Sequence, residues 1–252
     1  MTPFDASTWI GSWPFALLEA HTPRSLVNHL RRHGIGRALV SPLDGVFAPE
    51  PGRANRALLR ATRSFPGLLP VPLINPTLAN WPDELAACAE DARVRVVRVL
   101  PSYHRVPLGG AGMRRLVGEL EARGLRLALQ VRLIDERHEY HGLSLKPGAL
   151  AALTRFLATY PNTPVLVSGL LRSEVAKLAP SHPRMLVDLA YAEWLDTVRT
   201  LLVSTRPEQL VFASHTPFLV TAAATAKLDA ARLPSSRRKL IAHRNLDRFL
   251  VP

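Results

Sequence analysis

Eight short runs rich in Val, Ile, Leu and Ala recur along the chain, each followed by a segment of helical period, and this alternation leaves few folds open. The runs are residues 3–9, 38–42, 69–75, 94–100, 125–131, 163–168, 184–189 and 210–215. Strands that alternate with helices pair in parallel, because each connection must cross back over the sheet. Eight such units in 252 residues predict closure into a (β/α)8 TIM barrel, one domain spanning residues 1–252. The helical segments carry matching punctuation. Thr22 is placed to cap a helix with Pro23 at its first position and Gly34 just past its end. Met113, Leu116, Val117 and Leu120 follow the spacing of one buried helical face ended by Gly124, and Leu150, Leu153 and Leu157 repeat it after Pro147. The tail from Pro234 reads as a basic helix that closes the bottom of the barrel or packs on its side.

Composition narrows the function classes. The longest apolar runs are strand-sized and interrupted by Arg or Pro, so no membrane span is expected, and the opening Met-Thr-Pro-Phe-Asp lacks a basic segment leading into an apolar one. A cytoplasmic location is the expectation. The single Cys88 reads as a buried small hydrophobe, since alone it forms neither an internal disulfide nor a thiolate zinc site. The net charge of +12 raises the question of a nucleic-acid partner. Most of the excess is Arg scattered through helices and strand ends, and the tight cluster Arg237-Arg238-Lys239 has no interleaved aromatics, so a specific nucleic-acid partner is not expected. The expected partner is a small-molecule substrate, with homo-oligomerisation left open.

In a barrel of this kind the chemistry sits at the C-terminal ends of the strands, so alternation selects the candidates. Gln130 and Arg132 should look into the mouth from the fifth strand, Ser7 and Trp9 share a face with Asp5 on the first, and Ser168, Asp188 and His215 end the later ones. The loop after the fourth strand adds Tyr103 and His104. The one after the fifth adds Asp135, Glu136, Arg137, His138 and His141, the densest titratable cluster in the chain, which reads either as a loop folding over the mouth or as a solvated, self-paired charge run.

Several segments resemble the amidohydrolase superfamily, in its branch of TIM-barrel metal-dependent hydrolases. Asp5-Ala6-Ser7-Thr8-Trp9-Ile10-Gly11 stands where that branch resembles Asp-Ala-His-x-His-x-Gly. Residues 210–218 are similar to its Phe-Gly-Ser-Asp-x-Pro segment, and Asn245–Phe249 to its closing Asn-x-x-Arg-Phe. Gly11-Ser12-Trp13-Pro14-Phe15, Leu100-Pro101-Ser102-Tyr103-His104 and Asp135-Glu136-Arg137 match an uncharacterised sub-branch of it. The resemblance implies a metal site, yet Ser7 and Trp9 replace its two His, Ser168 stands where another His is expected, and His215 replaces its acid. No metal or other cofactor is therefore expected at those positions.

Three readings of function follow. In the first, an enzyme acts on a small anionic, carboxylate-bearing substrate by side-chain acid–base chemistry, most simply as a hydrolase, with lyase or decarboxylase chemistry open on the same scaffold. His215, Glu136 and Asp188 are then its catalytic groups. Arg132 binds the anion, with Arg98 and Arg137 as helpers, while Ser7, Trp9, Tyr103, His104, Gln130 and His138 line the site. In the second, a divalent metal such as zinc has moved to a set drawn from His104, Glu136, His138, His141 and His215. In the third, the barrel binds a ligand without turnover.

Overall fold

The computed structural model describes residues 2–135 and 150–251. Eight strands run parallel among them: β1 (Phe4–Ile10), β2 (Arg37–Pro42), β3 (Leu68–Pro70), β4 (Val96–Val99), β5 (Arg126–Gln130), β6 (Val165–Ser168), β7 (Met185–Asp188) and β8 (Leu210–Val211). They pair in the order β1-β2-β3 and β4-β5-β6-β7-β8, and backbone hydrogen bonds bridge both remaining seams. At one, Arg98 N–H donates to Pro72 O (2.8 Å) and Ile74 N–H to Arg98 O (2.9 Å). At the other, Ala6 N–H reaches Phe212 O (3.0 Å) and Trp9 N–H reaches Thr216 O (2.9 Å). The ring is a (β/α)8 barrel.

Two strands, β3 and β8, fall furthest short of the sequence pattern, for identifiable reasons. Pro70 and Pro72 have no N–H to give, so regular pairing of β3 stops at Pro70 although the extended chain touches β4 again at Leu73. After β8 the chain stays beside β1 as far as Thr216, but His215 adopts a left-handed φ of 56°, which breaks the ladder there.

The helices α1 (Pro23–Arg32), α2 (Gly52–Thr62), α3 (Trp81–Ala89), α4 (Ala111–Ala122), α5 (Leu150–Thr159), α6 (Arg172–Leu178), α7 (Thr197–Leu201) and α8 (Thr221–Ala230) flank the ring. Thr22 caps α1 as expected: Thr22 Oγ1 accepts from Ser25 N–H (3.1 Å), Ser25 Oγ accepts from Thr22 N–H (2.9 Å), and Gly34 leaves the helix at φ 71°. The apolar faces of α4 and α5 join one core with outward strand residues such as Val97, Val99, Leu127, Leu129, Val165 and Val187. The tail, α9 (Ser235–Lys239), a π turn over Leu240–Arg244 and α10 (Asn245–Phe249), places Leu246, Phe249 and Leu250 against Phe4, Leu39, Val96, Ala128 and Leu166 inside the ring. It plugs the bottom, leaving the opposite end to carry the site. No helix among the described residues is long and apolar enough to cross a membrane.

Candidate active site

The interior just below the mouth is polar. Asp5, Ser7, Arg98, Ser168, Asp188 and His215 are all fully buried, with Trp9 beside them and Gln130 at the same depth. They belong to strands β1, β4, β5, β6 and β7 and to the segment after β8, so the parity of several strands converges on one space. The Arg98 guanidinium lies 4.7 Å from the Trp9 ring centroid and donates from Nη2 to Ala6 O at 3.2 Å. Its Nε and Nη1 hydrogens meet no acceptor among the described residues, and neither does Gln130 Oε1 meet a donor. Asp5 Oδ1 accepts from Ser7 N–H (3.1 Å) and Ser214 N–H (3.0 Å). Burial pushes the Asp5 carboxyl up to about 7 against those donors, with Asp188 adding to the rise. Burial likewise raises Asp188, while Ser168, Ala190 N–H and Arg98 pull it the other way. The same desolvation brings Arg98 down to about 10, opposed by the charges of Asp188 and Asp5.

His215 is held at both nitrogens. Nε2 lies 2.6 Å from Leu133 O, and because a carbonyl only accepts, Nε2 carries the hydrogen. Nδ1 is then the acceptor, and Ser7 Oγ–H donates to it over 3.0 Å. The ring sits among Tyr191 (5.1 Å), Phe218 (5.6 Å) and Trp9 (6.1 Å), and burial pushes its pKa down to about 3. The imidazole is therefore neutral at physiological pH, with its orientation fixed.

The other sequence candidates divide. Gln130 turns its amide back to donate to Arg132 O at 2.5 Å. Arg132 was expected to face the mouth as an anion clamp; instead it is spent on a bidentate pair with Glu174 of α6, Nη1 to Oε2 at 2.6 Å and Nη2 to Oε1 at 2.8 Å, and Nη1 also reaches Gly169 O at 3.0 Å. The pairing follows from local geometry: Glu174 also accepts Leu171 N–H at 2.9 Å, capping α6 over the end of β5. His104 is half-buried, with Nε2 3.3 Å from Gly45 O, and Tyr103 packs on Phe47 at 5.5 Å, so both belong to the opposite wall of the mouth. Glu136, Arg137, His138 and His141 lie outside the described residues.

Above this interior is a cavity of about 770 Å³ at the mouth. Its walls come from the loops after β1, β5, β6, β7 and β8: Trp13 and Phe15, Ile134 and Asp135, Arg172, Tyr191 and Trp194, and Phe218. Trp13 and Phe218 meet edge to face at 5.0 Å, and Arg172 stacks over Trp194 at 4.8 Å. Tyr191 and Phe218 line the cavity and also touch the His215 ring, so one aromatic layer separates the cavity from the polar interior. Sequence reasoning placed Asp135 here but missed Arg172, Tyr191 and Trp194. Tyr191, three residues beyond Asp188 at the active end of β7, was the legible one, whereas Arg172 opens α6 and Trp194 sits on a loop, positions whose direction strand alternation does not set.

No family model matches the sequence, and no curated protein matches it. Solved structures do match the fold over its whole length. A 2,6-dihydroxybenzoate decarboxylase from Rhizobium superposes with a TM-score of 0.75 at 15% identity, covering 99% of this chain and 98% of the other. A probable 2-pyrone-4,6-dicarboxylic acid hydrolase from Acinetobacter baumannii, with citric acid bound, gives 0.68 at 12% identity over 99% of each chain. A dihydroxybenzoic acid decarboxylase from Polaromonas, with bound manganese and the inhibitor 2-nitroresorcinol, gives 0.70 at 13% identity over 99% and 96%. The chain shares the (β/α)8 barrel fold of these structures. Within that fold the donors described here do not fit a catalytic metal. Among the described residues no group of three His, Cys, Asp or Glu side chains is placed to hold a metal ion together, both His215 nitrogens are engaged, and a guanidinium already places a fixed positive charge near Asp5 and Asp188.

Proposed function

We propose that this amidohydrolase-type barrel is an enzyme that takes a small aromatic carboxylate into the mouth cavity and acts on it, as a hydrolase, through side-chain proton transfer rather than a metal-bound water. The observation that carries the reading is the cavity itself, in which Trp13, Phe15, Tyr191, Trp194 and Phe218 offer faces and edges for a ring. Arg172 supplies a planar cation for the carboxylate that Arg132, tied to Glu174, does not. The reacting groups in this reading are Ser7, His215 and Asp188, one layer below, where a neutral imidazole accepts the Ser7 hydrogen bond. The resemblance of the fold to decarboxylases and a hydrolase of carboxylated substrates supports the substrate class.

Binding of benzoate-type acids measured by calorimetry tests the first half. Arg172→Ala should weaken it by about 1.5–3 kcal/mol, the usual worth of a charge-assisted contact, whereas Arg132→Ala should leave it nearly unchanged. Equal loss in both variants would reject the assignment of the anion to Arg172. One observation favours a second reading, binding without turnover: Ser7, Asp188 and His215 are fully buried and none of them lines the cavity. Hydrolysis of aryl esters or lactones by chelator-treated protein, lost in His215→Gln, would support the enzyme. Binding without any turnover across such a panel would leave the binder.

A further inference from the structure

A row of hydroxyls links the barrel interior to the outer face between α1 and α8. His29 of α1, half-buried, lies with Nε2 2.7 Å from Thr221 Oγ1 at the start of α8. Thr221 Oγ1 is 2.7 Å from Thr216 Oγ1, and Thr216 Oγ1 is 2.6 Å from Ser214 Oγ. Ser214 donates its backbone N–H to Asp5 Oδ1 at 3.0 Å, while the buried Asp5 Oδ2 meets no donor among the described residues and is the acceptor open to the neighbouring Ser214 hydroxyl. Thr221, Thr216 and Ser214 are buried, so no bulk water competes along the line. A cavity of about 210 Å³ borders the outer end and is lined by His29, Thr216 and Thr221. We propose that His29, Thr221, Thr216 and Ser214 form a proton relay that connects the buried carboxyl of Asp5 to solvent through the side of the barrel, apart from the mouth.

The chain is balanced in both senses. With Asp5 ionised, His29 Nε2–H donates to Thr221, Thr221 to Thr216 and Thr216 to Ser214, and the Ser214 hydroxyl turns its hydrogen to the open Oδ2 of the carboxylate in the transfer. As each hydroxyl passes its hydrogen inward and receives the next, Asp5 becomes the acid and His29 regains a proton from water. Every hydroxyl ends neutral with its donating sense reversed, ready for the return transfer. Asp5 has reason to exchange its proton: burial and the neighbouring Asp188 hold its pKa near 7, with Arg98 of β4 the facing positive charge. At the outer end, desolvation, His33 and Arg32 of α1 keep His29 below its ordinary value, and Glu19 from the loop before α1 opposes them. His29 is thus mostly neutral at pH 7, the form that gives up one ring proton while taking another.

The relay predicts a rate, which a merely structural row of hydrogen bonds does not. In protein labelled with 13C at aspartate, the Asp5 carboxyl carbon is assigned by its disappearance in Asp5→Asn and followed between roughly pH 5 and 9. Thr221→Val should slow exchange between the protonated and ionised forms by about tenfold or more, equivalent to raising the barrier by about 1.4 kcal/mol. Thr221→Ser, which restores the hydroxyl, should restore the rate. His29→Gln should slow exchange from the other end without touching the row of hydroxyls, so the proposal stays testable if Thr221→Val folds poorly. An unchanged exchange rate in Thr221→Val or His29→Gln, or an Asp5 carbon that does not titrate in this range, would overturn the relay. This readout needs no substrate, so it stands or falls apart from the function proposed above.

Discussion

Replacing Asp5 by Asn and, separately, His215 by Gln should tilt the pH dependence of stability in opposite directions. Asp5 rises from 3.8 to about 7 on folding, so between these values the native state holds a proton that the unfolded chain has lost. Its contribution is complete below pH 3.8 and falls away as the pH rises, by about 1.4 kcal/mol per unit for one proton. His215 drops from 6.5 to about 3, so the unfolded chain holds the extra proton; this contribution is complete above pH 6.5 and is lost as the pH falls. Over the shared window, pH 3.8 to 6.5, the two slopes cancel in the parent protein. Asp5→Asn keeps an oxygen for the Ser7 and Ser214 amides but does not titrate, so its stability should rise by about 2 kcal/mol between about pH 4.5 and 6. His215→Gln keeps a donor for Leu133 O and should lose a similar amount over the same interval. Urea denaturation at several pH values reads the difference, and the remaining carboxyls contribute alike to all three proteins. Parallel profiles for the two variants would refute the claim that these groups are buried in opposite protonation states.

Two further outcomes follow from the supports of the mouth. Glu174→Ala leaves the Arg132 guanidinium, 9% exposed, without its bidentate partner and removes the cap on Leu171 N–H; a loss of about 3 kcal/mol in chemical denaturation is expected, and a loss below about 1 kcal/mol would show the pair to be incidental. Lys227 Nζ donates to Leu189 O (2.8 Å), Ala190 O (3.0 Å) and Ala192 O (3.3 Å), tying α8 to the loop that carries Tyr191 and Trp194. Lys227→Met should cost about 1–3 kcal/mol and weaken aromatic-acid binding in parallel, which calorimetry and denaturation on the same variant would check.

The ring was legible in the sequence because strand and helix periods each repeat often enough to mark themselves, and Thr22, Pro23 and Gly34 mark α1 by chemistry that depends on a few neighbours only. Alternation also brought Ser7, Trp9, Gln130, Ser168, Asp188 and His215 into one interior. It did not reveal depth. A side chain on the inner face of a barrel strand is either roofed or open, and the roof here is Tyr191 and Phe218 from two separate loops. Arg132 shows the same limit, since its position near the end of β5 says nothing of Glu174, 42 residues away, whose capping role on α6 delivers a carboxylate to it.

The interior makes best sense as a charge balance in which Arg98 takes part. Two carboxyls buried without a cation would both be driven to protonate, and two ionised carboxylates beside one guanidinium would leave an unmatched charge at great desolvation cost. A middle state, in which the two carboxyls share one proton beside Arg98, leaves no net charge and agrees with burial raising both carboxyls and lowering the guanidinium. Ser7 and His215 complete it as a neutral pair, since a protonated His215 would add a second positive charge beside Arg98 and would turn Ser7 Oγ from donor to acceptor at Nδ1. Asp5 is the carboxyl of this pair that lies against Ser214, the inner end of the row of hydroxyls that runs to His29.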